Sequence, residues 1–216
     1  MRAQVTGCTG LIGGELLKIL AAEQVETLAL ARRSFVAPVG VRIMQVDFSD
    51  LKASSGLACT HGFSALGTTI KKAGSQEAFR SVDFDSVLAS AKLAKECGAT
   101  VFVVVSALGA DSNSGIFYNR VKGQMEEALR GLGFLSVYVM RPSLLLGERE
   151  ESRFGEQVGM VAGAILGPLM QGPLRKYRPI YGKDVARAMF LCARKAEPGF
   201  HILESDEIVA AASKAP

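Results

Sequence analysis

The stretch Ala3-Gln4-Val5-Thr6-Gly7-Cys8-Thr9-Gly10-Leu11-Ile12-Gly13 decides how the chain folds. Ala3–Thr6 suits a short strand, and three glycines then recur at every third position before an amphipathic pattern over Leu11–Ala22. Each glycine answers a mechanical need where a strand turns sharply into a helix. A side chain at Gly7 blocks the turn, one at Gly10 keeps backbone away from a pyrophosphate, and one at Gly13 props the helix off the sheet. The unpaired N–H groups and positive dipole end of the helix then face an anion. Strand, glycine triplet and helix in this order predict a dinucleotide-binding turn, with Gly7, Thr9, Gly10, Leu11, Ile12 and Gly13 around the phosphates.

Outward from that turn, apolar runs alternate with helical patterns: Thr27–Ala31, Val41–Val46, Gly62–Leu66 then Gln76–Cys97, Val101–Val105 then Ile116–Leu132, and Val137–Met140. This alternation predicts an α/β chain, a Rossmann-type doubly wound parallel sheet with helices on both faces. Val101-Phe102-Val103-Val104-Val105 has no polar position, as a strand buried on both faces requires, and it is expected to mark the middle of the sheet. A helix near Lys183–Lys195, a strand near Phe200–Leu203 and a short terminal helix close the pattern. No repeat or linker divides residues 1–216, which read as one domain. The irregular stretch 147–179 hangs off the carboxyl end of a strand and is expected to be a small substrate-facing lobe, and a surface for a protein partner if there is one.

Composition excludes several classes. With 216 residues, 49% hydrophobic and 21% charged, the chain suits a compact domain rather than a disordered one. A net charge of +4, without runs of like charge or basic-aromatic interleaving, favours small anions and gives no nucleic-acid signature. Four cysteines at unrelated spacings and two histidines offer neither a metal motif nor a disulfide framework. Val158–Met170, the longest apolar stretch, is interrupted by glycine and proline and falls short of the roughly 20 residues of a membrane span. The glycine turn follows Met1 so closely that no signal-peptide core fits before it, so a cytoplasmic location is expected.

The second strand ends at Ala31-Arg32-Arg33-Ser34, where an NAD-specific fold places an acid on the ribose 2′-hydroxyl. Arg32 and Arg33 suit a 2′-phosphate instead, which points to NADP(H) over NAD(H). Asp47 and Phe48, after the third strand, are candidates for the adenine; Leu66, Gly67 and Thr68, after the fourth, are candidates for close approach to the adenine ribose.

Ser106 closes the apolar strand, and twelve residues later Tyr118-Asn119-Arg120-Val121-Lys122 opens a helix. Residues four apart share a helix face, so Tyr118 and Lys122 point together toward the carboxyl edge of the sheet. A phenol works as an acid-base catalyst near neutral pH only when a nearby ammonium favours its phenolate, and a serine can hold the substrate oxygen. Ser106, Tyr118 and Lys122 are the candidate catalytic groups.

With these motifs the chain resembles the short-chain dehydrogenase/reductase superfamily over essentially its whole length. Leu66-Gly67-Thr68-Thr69, Val82-Asp83-Phe84-Asp85, Ser106 to Asp111, Tyr118 to Gly123 and Arg141 to Arg153 resemble, more narrowly, the atypical branch containing the human Tat-interacting oxidoreductase-like proteins. The resemblance implies pyrophosphate binding at Gly7, Gly10 and Gly13, 2′-phosphate binding at Arg32 and Arg33, and action of Tyr118 and Lys122 at the nicotinamide ribose and reaction centre. It also implies that Pro142, Ser143, Leu144 and Leu145 line the nicotinamide pocket. The chain departs from many extended members in carrying Asp83 where they carry asparagine, and in being much shorter than sugar-nucleotide epimerases. The expected activity is NADP(H)-dependent oxidation or reduction of a small alcohol or carbonyl compound. The alternative is an NADP(H)-binding regulator or sensor without efficient catalysis.

Overall fold

The computed structural model describes residues 1–51, 58–147 and 172–214. A seven-stranded sheet runs through them, formed by β1 (Arg2–Thr6), β2 (Glu26–Ala31), β3 (Val41–Gln45), β4 (His61–Ser64), β5 (Val101–Val105), β6 (Ser136–Arg141) and β9 (Gly199–Glu204). Its order is β3-β2-β1-β4-β5-β6-β9, and every neighbouring pair is parallel. The Rossmann-type doubly wound architecture is therefore present. Strand order reverses between β1 and β4, and open parallel sheets bind ligands outside the carboxyl ends of their strands at such a point.

The helices α1 (Leu11–Ala22), α2 (Ile70–Ala73), α3 (Gln76–Arg80), α4 (Val87–Glu96), α5 (Phe117–Arg130), α6 (Gly182–Lys195) and α7 (Ser205–Ala212) divide between the two faces. Leu16, Leu17 and Leu20 of α1 and Val185, Met189 and Phe190 of α6 pack with Val101, Val103 and Val105 of β5. The opposite cluster joins Val87, Ala91 and Ala94 of α4 and Met125 and Leu129 of α5 to Phe102 and Val104. β5 thus alternates its side chains between two buried faces, which is why it tolerates no polar residue. Each large side chain withdrawn from water contributes about 1.5–3 kcal/mol to the burial term.

Three expectations change. β5 is fifth in order and β4 occupies the middle, with β1, β2 and β3 on one side of it and β5, β6 and β9 on the other. The helix read over Gln76–Cys97 is interrupted by a π-helical stretch, Ser81–Ser86, which inserts extra residues into the turn that carries Asp83. A two-stranded parallel ribbon, β7 (Leu145–Leu146) with β8 (Ile180–Tyr181), brackets the stretch 147–179 read as irregular. Residues 148–171 of the expected 147–179 lobe, including Val158–Met170, lie outside the described residues. Among those described, no helix is long and apolar enough to cross a membrane.

Candidate functional site

The glycine turn has the geometry its spacing predicts. Gly7 has φ +78°, and a Cβ there would fall 2.3 Å from the Ala65 carbonyl carbon at the end of β4. At Gly13 a Cβ would fall 2.1 Å from the Gly7 carbonyl oxygen, so α1 rests directly on the turn. Gly10 differs: its Cβ would meet that same oxygen at 3.3 Å and otherwise face open space. Gly10 caps α1 without a side-chain hydrogen bond, no acidic residue occupies the first turn, and Thr9 and Gly10 are exposed. The first amides of a helix have no partner within it. Here they open at the strand-order reversal, where the cradle fits a dinucleotide pyrophosphate.

Ile12 turns its side chain into the core and offers only backbone to a phosphate, whereas Leu11 lies against Gly147 and Gly182. Cys8 is buried, its thiol donates to the Val5 carbonyl, and burial pushes its pKa up to about 12, which disfavours the thiolate.

At the end of β2, Arg32 and Arg33 are exposed and make no ion pair among the described residues. Asp47 accepts hydrogen bonds from the Ser49 amide at 2.9 Å and the Ser49 hydroxyl at 2.7 Å, which hold its carboxyl below the usual range. It shapes its own turn, and Phe48 is half-buried beside it. Past β4, Leu66 packs against the α4–α5 cluster, Gly67 is exposed, and the Thr68 amide donates to Asp83 Oδ2 at 2.9 Å.

The Ser106, Tyr118, Lys122 set is only partly assembled. Tyr118 and Lys122 lie one turn apart on α5, and the Tyr118 ring packs on Phe79 with centroids 5.2 Å apart. Lys122 is almost fully buried and its ammonium pairs with Asp83 Oδ1 at 2.7 Å. Ser106 faces elsewhere: its hydroxyl donates to Glu126 Oε1 at 2.5 Å, and Arg141 grips the same carboxylate through Nε at 3.0 Å and Nη2 at 2.5 Å. The Ser106 hydroxyl, expected to hold a substrate oxygen, is buried and donates to Glu126. A cavity of about 330 Å³ opens beside this network, between Asp111–Asn113, α5 and Ile202. Tyr118 and Lys122 do not line it.

The residues implied for the nicotinamide pocket divide similarly. Pro142 is buried, and its carbonyl accepts from the Leu108 amide at 3.0 Å. Ser143 is tied down at both ends, its amide donating to Ser205 Oγ at 2.7 Å and its hydroxyl to the Arg178 carbonyl. Leu145 pairs in β7; Leu144 alone projects, 56% exposed.

Glu126 was absent from the sequence reading, and Arg141 appeared there only as the start of a motif. The available signal was a carboxylate between Met125 and Leu129, on the apolar face of α5, a position that demands a cationic partner. Glu126→Gln should cost about 1–3 kcal/mol in urea unfolding, because a charge-assisted acceptor for Arg141 and Ser106 is lost. An unchanged midpoint and slope would remove this network from the account of how β5 and β6 are pinned.

This geometry is that of a Rossmann-type doubly wound α/β fold. A UDP-glucose 4-epimerase from Thermus thermophilus, solved with NAD, superposes with TM-score 0.68 at 19% identity over 100% of this chain and 85% of its own. MoeE5, solved with UDP-glucose and NAD, gives TM-score 0.68 at 17% identity over 99% and 81%. By sequence, the mitochondrial protein FMP52 of Eremothecium gossypii is 38% identical over 217 residues, 97% of this chain and 96% of that protein, and its Candida albicans counterpart 33% identical over 211 residues, 92% and 90%. The chain belongs to the FMP52 family. No protein-family model matches it.

These relatives are named mitochondrial, which overturns the cytoplasmic expectation drawn from the N-terminal residues. The narrower resemblance to the Tat-interacting branch rests on its motifs alone, and several of the solved neighbours are named as UDP-sugar 4-epimerases.

Proposed function

We propose that the chain is an NADP(H)-dependent oxidoreductase acting on a small carbonyl or alcohol compound. The observation that carries this reading is the uncapped, glycine-floored N-terminus of α1 at the strand-order reversal, with Tyr118 and Lys122 placed on its β4–β5 side. The β2 end, with its two arginines, receives the adenosine half, and the β4–β5 end receives the nicotinamide. A bound cofactor supplies or accepts hydride. The Tyr118 hydroxyl donates a proton to the carbonyl oxygen during reduction and takes one back in the reverse direction. Lys122, fixed by Asp83, gives that end of the cleft its directed N–H donors. Ser106, through Glu126, supports the wall.

The solved neighbours carry NAD. The preference for the phosphorylated cofactor rests on Arg32 and Arg33 and on the lack of an acid at the end of β2. In fluorescence titration NADPH should bind about 10–100-fold more tightly than NADH, the value of one good charge-assisted contact. An Arg32→Ala, Arg33→Ala double variant should lose the difference while keeping NADH affinity. Equal affinities in the unmodified chain would end the NADP(H) assignment.

The second reading, a cofactor-responsive binding module, draws support from the same site. Ser106 is committed to Glu126, and Lys122 is buried against Asp83, so two of three expected catalytic groups are held by protein partners. A screen of small aldehydes, ketones and quinones by NADPH absorbance separates the two readings. Turnover on a hit supports the enzyme, and NADPH binding with no turnover across the screen supports the module.

A further inference from the structure

The Asp83–Lys122 pair has properties that the placement of a catalytic lysine does not require. Both side chains are withdrawn from water, at 1% and 3% exposure, and their charges lie 2.7 Å apart. Asp83 sits in the π-helical stretch between α3 and α4, and that local widening faces α5 in step: Phe79 stacks with Tyr118, and four residues on Asp83 meets Lys122. Asp83 Oδ2 takes the Thr68 amide, while Oδ1 meets the ammonium without the alignment of a hydrogen bond. Above the pair, at the carboxyl end of β4, the chain has Gly67. A Cβ there would stand 3.5 Å from Asp83 Oδ1 and 4.0 Å from Lys122 Nζ. The pair is thus the floor beneath an exposed backbone position.

The other charges on the packed elements are occupied or remote. Arg80 of α3 donates to Gln124 at 2.7 Å and lies over the Phe84 ring; Arg120 of α5 donates to the Ser114 carbonyl; Glu126, one turn beyond Lys122, is held by Ser106 and Arg141. Asp85 and, on α2, Lys71 are exposed, where water and salt screen them. Within the buried layer, Asp83 is therefore the charge that balances Lys122.

We infer that Asp83 sets the preference of the site for the oxidation state of its cofactor, by cancelling the Lys122 charge beneath the nicotinamide. The inference rests on the reading that a nicotinamide dinucleotide binds with its redox-active half on the β4–β5 side. The oxidised ring carries a positive charge and the reduced ring does not. An uncompensated ammonium below the ring repels the oxidised form alone; a net-neutral Lys122–Asp83 unit treats the two forms evenly. Asp83 is in this sense a specificity-determining residue that works through Lys122.

The test is a ratio of dissociation constants, so it needs no substrate. Asp83→Asn keeps the acceptor for the Thr68 amide and removes only the charge. It should raise the ratio of the NADP⁺ to the NADPH dissociation constant about five- to thirtyfold, as one full charge acting across about 8 Å at an intermediate dielectric implies. Affinity for adenosine 2′,5′-bisphosphate, which has no nicotinamide, should stay unchanged. Lys122→Gln should move the ratio in the opposite direction, and the Asp83→Asn, Lys122→Gln double variant should return it close to the starting value. Opposed shifts are the signature of charge, since loss of packing alone moves both single variants the same way. If Asp83→Asn does not fold, the sign of the Lys122→Gln shift decides. A ratio that stays constant while both dinucleotides bind overturns the inference and leaves the proposed function standing. A folded chain that binds neither dinucleotide overturns both.

Discussion

Tyr118→Phe should bind NADPH within a few-fold of the unmodified chain and lose about 10²–10⁴-fold in turnover, the usual contribution of a positioned general acid. The substitution is mild for the fold. The ring contact with Phe79 is kept, and the hydroxyl makes no hydrogen bond among the described residues. The pyrophosphate cradle at Gly7–Gly13 and the arginines at the end of β2 belong to other elements, so cofactor affinity has little reason to change. The measurement is steady-state NADPH oxidation on a substrate found in the carbonyl screen, with the dissociation constant determined separately. Because the loss falls on kcat with cofactor affinity spared, it is a transition-state effect. A variant as fast as its parent would remove Tyr118 from the chemistry.

Gly10→Val should fold and lose binding of both NADPH and NADH by at least about 100-fold, the scale of the hydrogen bonds between a helix terminus and a pyrophosphate. The three glycines of the turn separate here on geometric grounds. A side chain at Gly7 or Gly13 drives into backbone at 2.3 Å or 2.1 Å, and those variants should fail as folded proteins. Gly10 has one close backbone neighbour, at 3.3 Å, so a Cβ requires a shift of a few tenths of an ångström and the rest of the isopropyl group fills the space over the helix end. Circular dichroism and a melting curve establish the fold, and fluorescence titration then reads the cofactor. Normal binding by a folded Gly10→Val would reduce the turn to a structural element.

Much of the fold was legible because its signals are local. Leu11–Ala22 is bounded as its amphipathic pattern and glycine cap dictate, and β5 appears where five consecutive apolar residues demand two buried faces. What escaped depends on partners distant in sequence. The Ser81–Ser86 bulge is set by how α3 and α4 meet α5, whereas β9 was legible near Phe200–Leu203 even as a half-exposed edge strand. The site divides along the same line. Gly7, Gly10 and Gly13 were legible from spacing, since their roles are steric and confined to one turn. For Ser106, the place at a strand end is visible in sequence, while the direction of the hydroxyl depends on Glu126, twenty residues away. Asp83 was noticed as a departure from an asparagine, yet its partner became evident only when α5 was laid beside the bulge.

The short β7–β8 ribbon bears on how such a protein diversifies. Leu145 is in register with Ile180 and Leu146 with Tyr181, so the chain departs and returns through one clasp beside the glycine turn. Whatever length of polypeptide lies between those two points, the register of the main sheet is indifferent to it, and the entropic cost of closing a longer excursion grows only with the logarithm of its length. The ribbon is the rim of a socket. A lineage can exchange the insert without renegotiating the core, and a protein engineer grafting a foreign segment would cut at Gly147 and Arg178 for the same reason.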